Sequence, residues 1–419
     1  NISIDPQKFN QIAGFLCSEF STSTYLPQTV NSGWSKSNLI ALGTHKSTND
    51  FEGNFFDQID KLVNSSNDWA FGHFGYNLQR ETDGCATRLP NEDGFPDGFF
   101  FVPQVLIFLD GRRLQVGGTT MELTDHAINL IKSFESIGPD LSDIVLGPRT
   151  TRDMYLEKCN QLLRHIHRGD IYEINYCIDF IGNSTNLLPT QIFARLQELS
   201  EAPFAALYKH DLSWLMCASP ERFLCKQGTR LFSQPIKGTR KRSSNASEDG
   251  MLYNQLAQDP KEKMENVMIV DLVRNDLSRI AKKGSVQVPE LFQIHTFKTV
   301  HQMISTVECE IETDKPLSEI IKATFPMGSM TGAPKISAMK LADLFEDQAR
   351  GIYSGAVGFI TPDRDFDFNV VIRSITWNEV TGHISAKTGS ALTASAIPEK
   401  EYEECLVKVA AMMNALKRV

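Results

Sequence analysis

No two of the eight cysteines in this sequence are spaced CxxC; they are scattered through 419 residues. That spread fits buried thiols in a reducing cytoplasm better than a disulfide or zinc framework. Positive charge is also scarce. The 42 Lys and Arg fall short of 51 Asp and Glu, leaving a formal net charge of −9. General binding to nucleic acid or an anionic membrane is therefore disfavoured, although a local basic pocket for a small anion is not. No apolar run reaches bilayer length. The longest, FFFVPQVLIFL from Phe99 to Leu109, is too short and contains Pro103. Neither GxGxxG nor GxxxxGK[ST] follows any strand-like stretch, which disfavours a nucleotide-binding doubly wound fold. The opening residues NISIDPQKF lack a basic segment followed by an apolar one, so no signal peptide is expected. The expected location is the cytoplasm.

What is present is an ordinary globular composition, 41% hydrophobic and 22% charged. A Gly-, Pro-, Asp- and Ser-rich stretch from Gly138 to Thr151 suggests a junction between an N-terminal region, 1–148, and a second region, 149–419. Short apolar runs in the first, such as WAFGHFGYNL and VPQVLIFLDG, read as strands between polar loops. In the second, RTTRDMYLEKCNQLLRHIHRGD places Tyr155, Cys159, Leu162, Leu163 and Ile166 at helical spacing, with Gly169 as the stop. Strand-like stretches (IYEINYCIDF, LSWLMCASP, GIYSGAVGFI, FDFNVVIRSITW) alternate with helices without a regular βαβ rhythm. An α+β architecture with largely antiparallel sheets is expected.

Five constellations could carry chemistry. In QDPKEKMENVMIVDLVRND, Asp259 caps a helix that starts at Pro260. Glu262 and Glu265 share one face, with Met264, Met268 and Leu272 on an apolar side. In IPEKEYEECLVKVAAMMNALKRV, Tyr402, Cys405, Leu406, Val409, Met412, Met413 and Leu416 form an apolar stripe, bordered by Glu401, Glu404 and Lys408. Two helices with carboxylates one turn apart could jointly hold a hard cation through oxygen ligands, though such charges also describe a solvated face. Lys237 lies in LFSQPIKGTRKR at a strand end. Burial that lowered its reference pKa of ~10.4 would make it a nucleophile or base. Glu221 follows Ser219-Pro220 in ASPERF. The segments GSMTGAPK, ending in Lys335, and TGSALTASAIPE, around Gly389, read as turns able to aim backbone N–H groups at an anion.

Taken together and in order, GDIYEINY, ASPERF, PIKGTR, KEKMENVMIVDLVRND, VHQMIS, GSMTGAPK, YSGAVG, FNVVIRS and PEKEYEE resemble the chorismate-utilising enzymes. That family includes the large subunits of anthranilate synthase and aminodeoxychorismate synthase, and the isochorismate and salicylate synthases. The motifs run from about Arg149 to Val419. The resemblance implies two antiparallel sheets packed face to face, helices outside, and an active site in the cleft between them. It also implies roles. Glu265 and Glu404 match positions that ligate Mg²⁺ directly, with Glu262 and Glu401 assisting through water. Arg373, on an alternating strand, and Tyr353 match positions that hold the enolpyruvyl carboxylate. Gly389 matches the turn whose backbone receives a substrate carboxylate. Lys408 lines the same cleft, Thr239 contacts substrate, His301 lies near the departing C4 hydroxyl, and Glu221 is the general acid. A carboxyl group can donate at neutral pH only if burial raises its pKa towards 7.

Lys237 discriminates within the family. Anthranilate synthases carry alanine in this motif and aminodeoxychorismate synthases carry lysine. The resemblance thus implies that chorismate and ammonia give 4-amino-4-deoxychorismate, a step towards 4-aminobenzoate and folate. In that chemistry Lys237 attacks C2 as the C4 hydroxyl leaves, and ammonia then attacks C4. Isochorismate and salicylate synthases place a water-activating lysine where this chain has Glu173, and the other amine-transferring members usually have glutamine. Glu173 is a departure, as is GSA from Gly389 to Ala391, where many relatives have GAG. No GxCxG elbow is present, so ammonia is expected either free or from a separate glutamine amidotransferase subunit. The alternatives are an anthranilate synthase in which Lys237 is incidental, and a catalytically silent binding protein of the same family.

Overall fold

The structure, a computed structural model, describes residues 2–3, 6–28, 34, 37–85, 87–136, 143–298 and 300–417. Of the stretch read as a junction, residues 138–142 lie outside the described residues.

Among the described residues, twenty strands join in one antiparallel hydrogen-bonded ladder. The ladder runs from Gln287–Thr296 through Val300–Glu310 to Arg230–Gln234 and its continuation Ile236–Lys241. It passes through Arg222–Gln227, Phe366–Asn369, Ala356–Ile360 and Ala70–Phe74 to the long strand Gly98–Asp110. It returns through Asn38–Ser47, Thr22–Leu26, Phe204–His210, Ser213–Ser219, Ser374–Asn378 and His383–Thr393 to Glu173–Asn183. Strands from either side of residue 148 thus pair directly: Thr22–Leu26 with Phe204–His210, and Ala70–Phe74 with Ala356–Ile360.

Alternation along each strand explains the layering. Phe71, Phe101, Tyr208, Leu215, Val357 and Phe359 share one apolar cluster drawn from both halves of the ladder, so the ladder folds back over its own inner face. Their sequence neighbours point outward to helices. Leu207 and Met216 meet Phe9, Tyr155 and Val409, while Phe74 and Phe368 meet Ile59, Ile269 and Ile320. Two packed layers with helices outside is the expected architecture, and it is the one observed.

The local signals hold where they rest on a cap or a period. The Arg152–Arg168 helix begins after Thr151, whose side chain accepts from the Met154 N–H, and ends at Gly169 with φ +87°. Tyr155, Cys159, Leu162 and Ile166 are its buried face. The Pro260–Ser278 helix is capped by Asp259, which accepts from the N–H groups of Lys261 and Glu262. Its apolar side differs from the expected one. Met264 is exposed, and the buried face is Ile269, Val270, Val273 and Leu277, together with Glu265 and Asn266. This face packs on the Val300–Glu310 strand, where Asn266 accepts a hydrogen bond from Ser305 at 2.6 Å.

Candidate active site

Lys237 crosses from one layer to the other. Pro235 precedes its strand, and Gly238 takes φ +87° at a break in the pairing register between Ile236 and Thr239. Such a bulge breaks the regular alternation and re-aims a side chain. The Lys237 ammonium reaches Glu173, on the far strand of the other layer, with Nζ 3.0 Å from Oε1. The Glu173 side chain is buried and that of Lys237 is 12% exposed, and the second oxygen of Glu173 is buried without a hydrogen-bond partner. Burial alone would lower the lysine pKa, as the sequence suggested. Glu173, Glu265 and Glu221 outweigh it and hold the amine charged, above the ordinary lysine value. Glu173 is the residue sequence reasoning left without a role; its one signal was a departure from the family motif.

Glu221 sits in the break between Ser213–Ser219 and Arg222–Gln227, its N–H donating to Ser219 Oγ at 3.2 Å. It is 6% exposed. Burial pushes its carboxyl up to about 7, against the pull of Ser329, Lys237, the Ile236 N–H and Lys408. At that value it is partly protonated at neutral pH and can donate a proton.

The two acidic helices face each other. Lys261 on Pro260–Ser278 places its ammonium 3.5 Å from Glu265 and 4.0 Å from Glu401, which belongs to the Pro398–Ala415 helix. Burial and the charge of Glu404 push Glu401 up to about 7. Burial likewise raises Glu265, with Lys237 and Lys261 opposing. Burial would also raise Glu404, but Lys408, 2.6 Å away, draws it below its ordinary value. Glu262 is held by Arg240 at 3.3 Å. Among the described residues no three acidic, histidine or cysteine side chains already converge on one metal position. The donor set nevertheless suits a hard divalent cation: the ligands are carboxylate oxygens, and the raised values of Glu265 and Glu401 mark negative charge that such an ion would relieve.

Arg373 is not on an alternating strand. The chain leaves the ladder between Asn369 and Ser374, and Arg373 takes φ +52° there. The break is bound into the Glu221 segment, with Val370 N–H donating to the Glu221 carbonyl at 3.0 Å and Ala218 N–H to the Arg373 carbonyl at 3.1 Å. Burial lowers the Arg373 pKa, while Tyr353 and Glu404 act the other way, which places all three in one neighbourhood. Tyr353 is buried. Gly389 is also not in a turn. It lies mid-strand opposite Cys177, where a Cβ would stand 2.4 Å from Asn175 Oδ1 and 2.9 Å from Cys177 Sγ. Its carbonyl accepts from Lys408 at 2.8 Å.

Two residues have no electrostatic tie to this cluster among the described residues. Both ring nitrogens of His301 are engaged, Nδ1 with Thr296 at 2.9 Å and Nε2 with Asp249 at 3.1 Å. Thr239 is exposed. Glu173, Glu221, Lys237, Glu265, Glu401, Glu404, Lys408, Arg373 and Tyr353 form one electrostatically linked group instead.

Comparison with known proteins gives this group a context. The family model described as chorismate binding enzyme matches residues 22–414. Aminodeoxychorismate synthase component 1 of Escherichia coli (strain K12) is 31% identical over 83% of this chain and 77% of its own length. The protein of the same name from Bacillus subtilis (strain 168) is 34% identical over the same shares. The crystal structure of anthranilate synthase component I from Streptococcus pneumoniae TIGR4 superposes with a TM-score of 0.80 at 22% identity, covering 90% of this chain and 92% of that one. The match spans nearly the whole chain, both layers of the sheet and every residue of the cluster, and so the chain belongs to the chorismate binding enzyme family.

Proposed function

We propose that this chain aminates chorismate at C4, giving 4-amino-4-deoxychorismate for 4-aminobenzoate and folate synthesis, as an aminodeoxychorismate synthase component 1. The observation that carries the reading is Lys237 held inside the cleft, with its tip on Glu173 and with Glu221 raised to about 7 beside it. Curated relatives of that name, 31% and 34% identical over most of the chain, support it.

In this reading Arg373 and Tyr353 receive the enolpyruvyl carboxylate, which suits a guanidinium fork. The strand around Gly389, with Lys408 and Thr239, lines the rest of the substrate site, and His301 stands near the leaving hydroxyl. Lys237 bonds to C2. The two ring double bonds shift along, and the C4 hydroxyl leaves as water with the proton of Glu221. Ammonia then bonds to C4, the double bonds shift back, and Lys237 departs as an amine. The new C4 ammonium returns one proton to Glu221. Amine lands at C4 because the protein itself occupies C2.

Mg²⁺ would be held by Glu265 and Glu404, with Glu262 and Glu401 assisting through water. When bound it supplies the positive charge that lets a dicarboxylate approach these acids. Ammonia would come from a glutamine amidotransferase subunit, a reading supported by the words "component 1" in the relatives' names. A cytoplasmic setting belongs to the same reading. Eight buried free thiols fit it, and among the described residues no helix is long and apolar enough to cross a membrane.

The test is mass spectrometry of products from chorismate, Mg²⁺ and ammonium. A product in which amino replaces hydroxyl with the enolpyruvyl group retained supports the proposal. Anthranilate, seen by its fluorescence, would make the chain an anthranilate synthase instead. Chorismate left unconsumed would point to a silent binding protein.

A further inference from the structure

An ammonium has no lone pair, so Lys237 cannot bond to C2 until something takes a proton from it. Four carboxylates from four separate elements act on this lysine. Glu173 stands on the Glu173–Asn183 strand, Glu221 before Arg222–Gln227, Glu265 on Pro260–Ser278 and Glu404 on Pro398–Ala415. Among the described residues only Glu173 makes an ion pair with Nζ, at 3.0 Å. Glu221 has to hold a proton for the departing hydroxyl and cannot accept one in the same half-reaction. Glu265 and Glu404 carry partners of their own, Lys261 at 3.5 Å and Lys408 at 2.6 Å.

Glu173 is also fixed where it stands. Its backbone pairs with Ala333, and the adjacent Gly332 passes so close that a Cβ there would lie 2.2 Å from the Glu173 carbonyl oxygen. Its side chain is 3% exposed, and Oε2 has no hydrogen-bond partner. One oxygen therefore grips the lysine while the other is unengaged.

We infer that Glu173 is the proton acceptor for Lys237, a positioning residue that draws the lysine tip across the cleft and removes the proton that would keep its nitrogen from bonding to C2. The inference rests on the amination reading. Glu173 takes one proton from the Lys237 ammonium, becoming a carboxylic acid, and the freed amine forms the bond to C2. When ammonia has added at C4 and Lys237 has left, the amine takes that proton back and the ion pair is restored. Protons balance over the cycle without a further co-reactant. A glutamine in this position could hold the lysine by a hydrogen bond but could not accept its proton.

The pH dependence separates the two cases. With Glu173 the reactive form is the ion pair itself, so rate does not wait for free amine. With glutamine only the neutral amine reacts, and its fraction rises tenfold per pH unit below the lysine pKa, whose reference value is ~10.4. The experiment compares native protein, Glu173→Gln and Glu173→Asp at pH 7 to 9, with free ammonia and Mg²⁺ held constant. It reads kcat/KM for chorismate together with product mass. Native protein and Glu173→Asp are expected to fall together above pH 7 as Glu221 loses its proton, their ratio staying constant within about twofold. Relative to native protein, Glu173→Gln is expected to fall about 1,000-fold at pH 7 and to recover about tenfold per unit. A Glu173→Gln profile parallel to the native one would overturn the inference. Should that variant fail to fold, a Glu173→Asp rate that rises steeply with pH relative to native protein would overturn it as well. If native protein makes no 4-amino-4-deoxychorismate, the amination reading fails, which the product mass reports separately.

Discussion

Lys408 donates to the Gly389 carbonyl across 2.8 Å, tying the C-terminal helix to the strand that pairs with Glu173–Asn183. The same ammonium lies 2.6 Å from Glu404. One side chain thus links the acidic helix, the His383–Thr393 strand and the neighbourhood of Glu221, whose carboxyl it helps to hold down.

Gly389 has no room for a side chain. A methyl group there would meet Asn175 Oδ1 at 2.4 Å, Cys177 Sγ at 2.9 Å and the Tyr176 carbonyl at 3.1 Å. Gly389→Ala is expected to destabilise the fold by about 1–3 kcal/mol through overpacking. Urea unfolding checks this; an unchanged midpoint would contradict it.

Glu221 carries a cost in stability. Its folded value of about 7 exceeds the ordinary 4.5, so the folded state prefers the protonated form. That contribution is complete below pH 4.5 and is lost as pH rises through 7. Glu221→Gln should therefore stabilise the protein by up to about 3 kcal/mol at pH 8 and hardly at all near pH 4.5, while abolishing turnover. Denaturation at the two pH values decides it. An equal effect at both would contradict the burial argument.

The acidic helices predict a metal response. Glu265 and Glu401 are both pushed up by burial, and neighbouring carboxylates add to the rise. Mg²⁺ alone should bind native protein in a calorimeter and raise its melting temperature. Glu265→Gln should weaken that binding at least tenfold and remove Mg²⁺-dependent activity. An unchanged Mg²⁺ titration in the variant would remove this residue from the metal site.

Much of this architecture is legible in the sequence because local chemistry writes it. Asp259 and Pro260 start their helix, Gly169 ends another, and period-2 alternation gives the strands around Phe71 and Tyr208 one helix-facing and one inward face. What is not legible depends on partners distant in the chain. Lys237 and Glu173 are 64 residues apart, and their meeting requires the ladder to fold back on itself. Nothing local tells that carboxylates will outweigh desolvation at the lysine. The run FDFNVVIRSITW reads as one strand, yet Val370 and Arg373 bond to the Glu221 segment and break it. Gly389 looks like a turn glycine; the reason for it is Asn175 and Cys177 on the paired strand. The apolar side of the Pro260–Ser278 helix is misjudged around Met264 because the face that meets the sheet also carries Glu265.

The most direct measurement is the product spectrum of Lys237→Ala beside native protein, both given chorismate, Mg²⁺ and ammonium. Native protein should yield 4-amino-4-deoxychorismate, and the variant, with an unchanged circular dichroism spectrum, should yield none or carry amine elsewhere on the ring. Normal 4-amino-4-deoxychorismate turnover by Lys237→Ala would contradict a lysine bonded at C2.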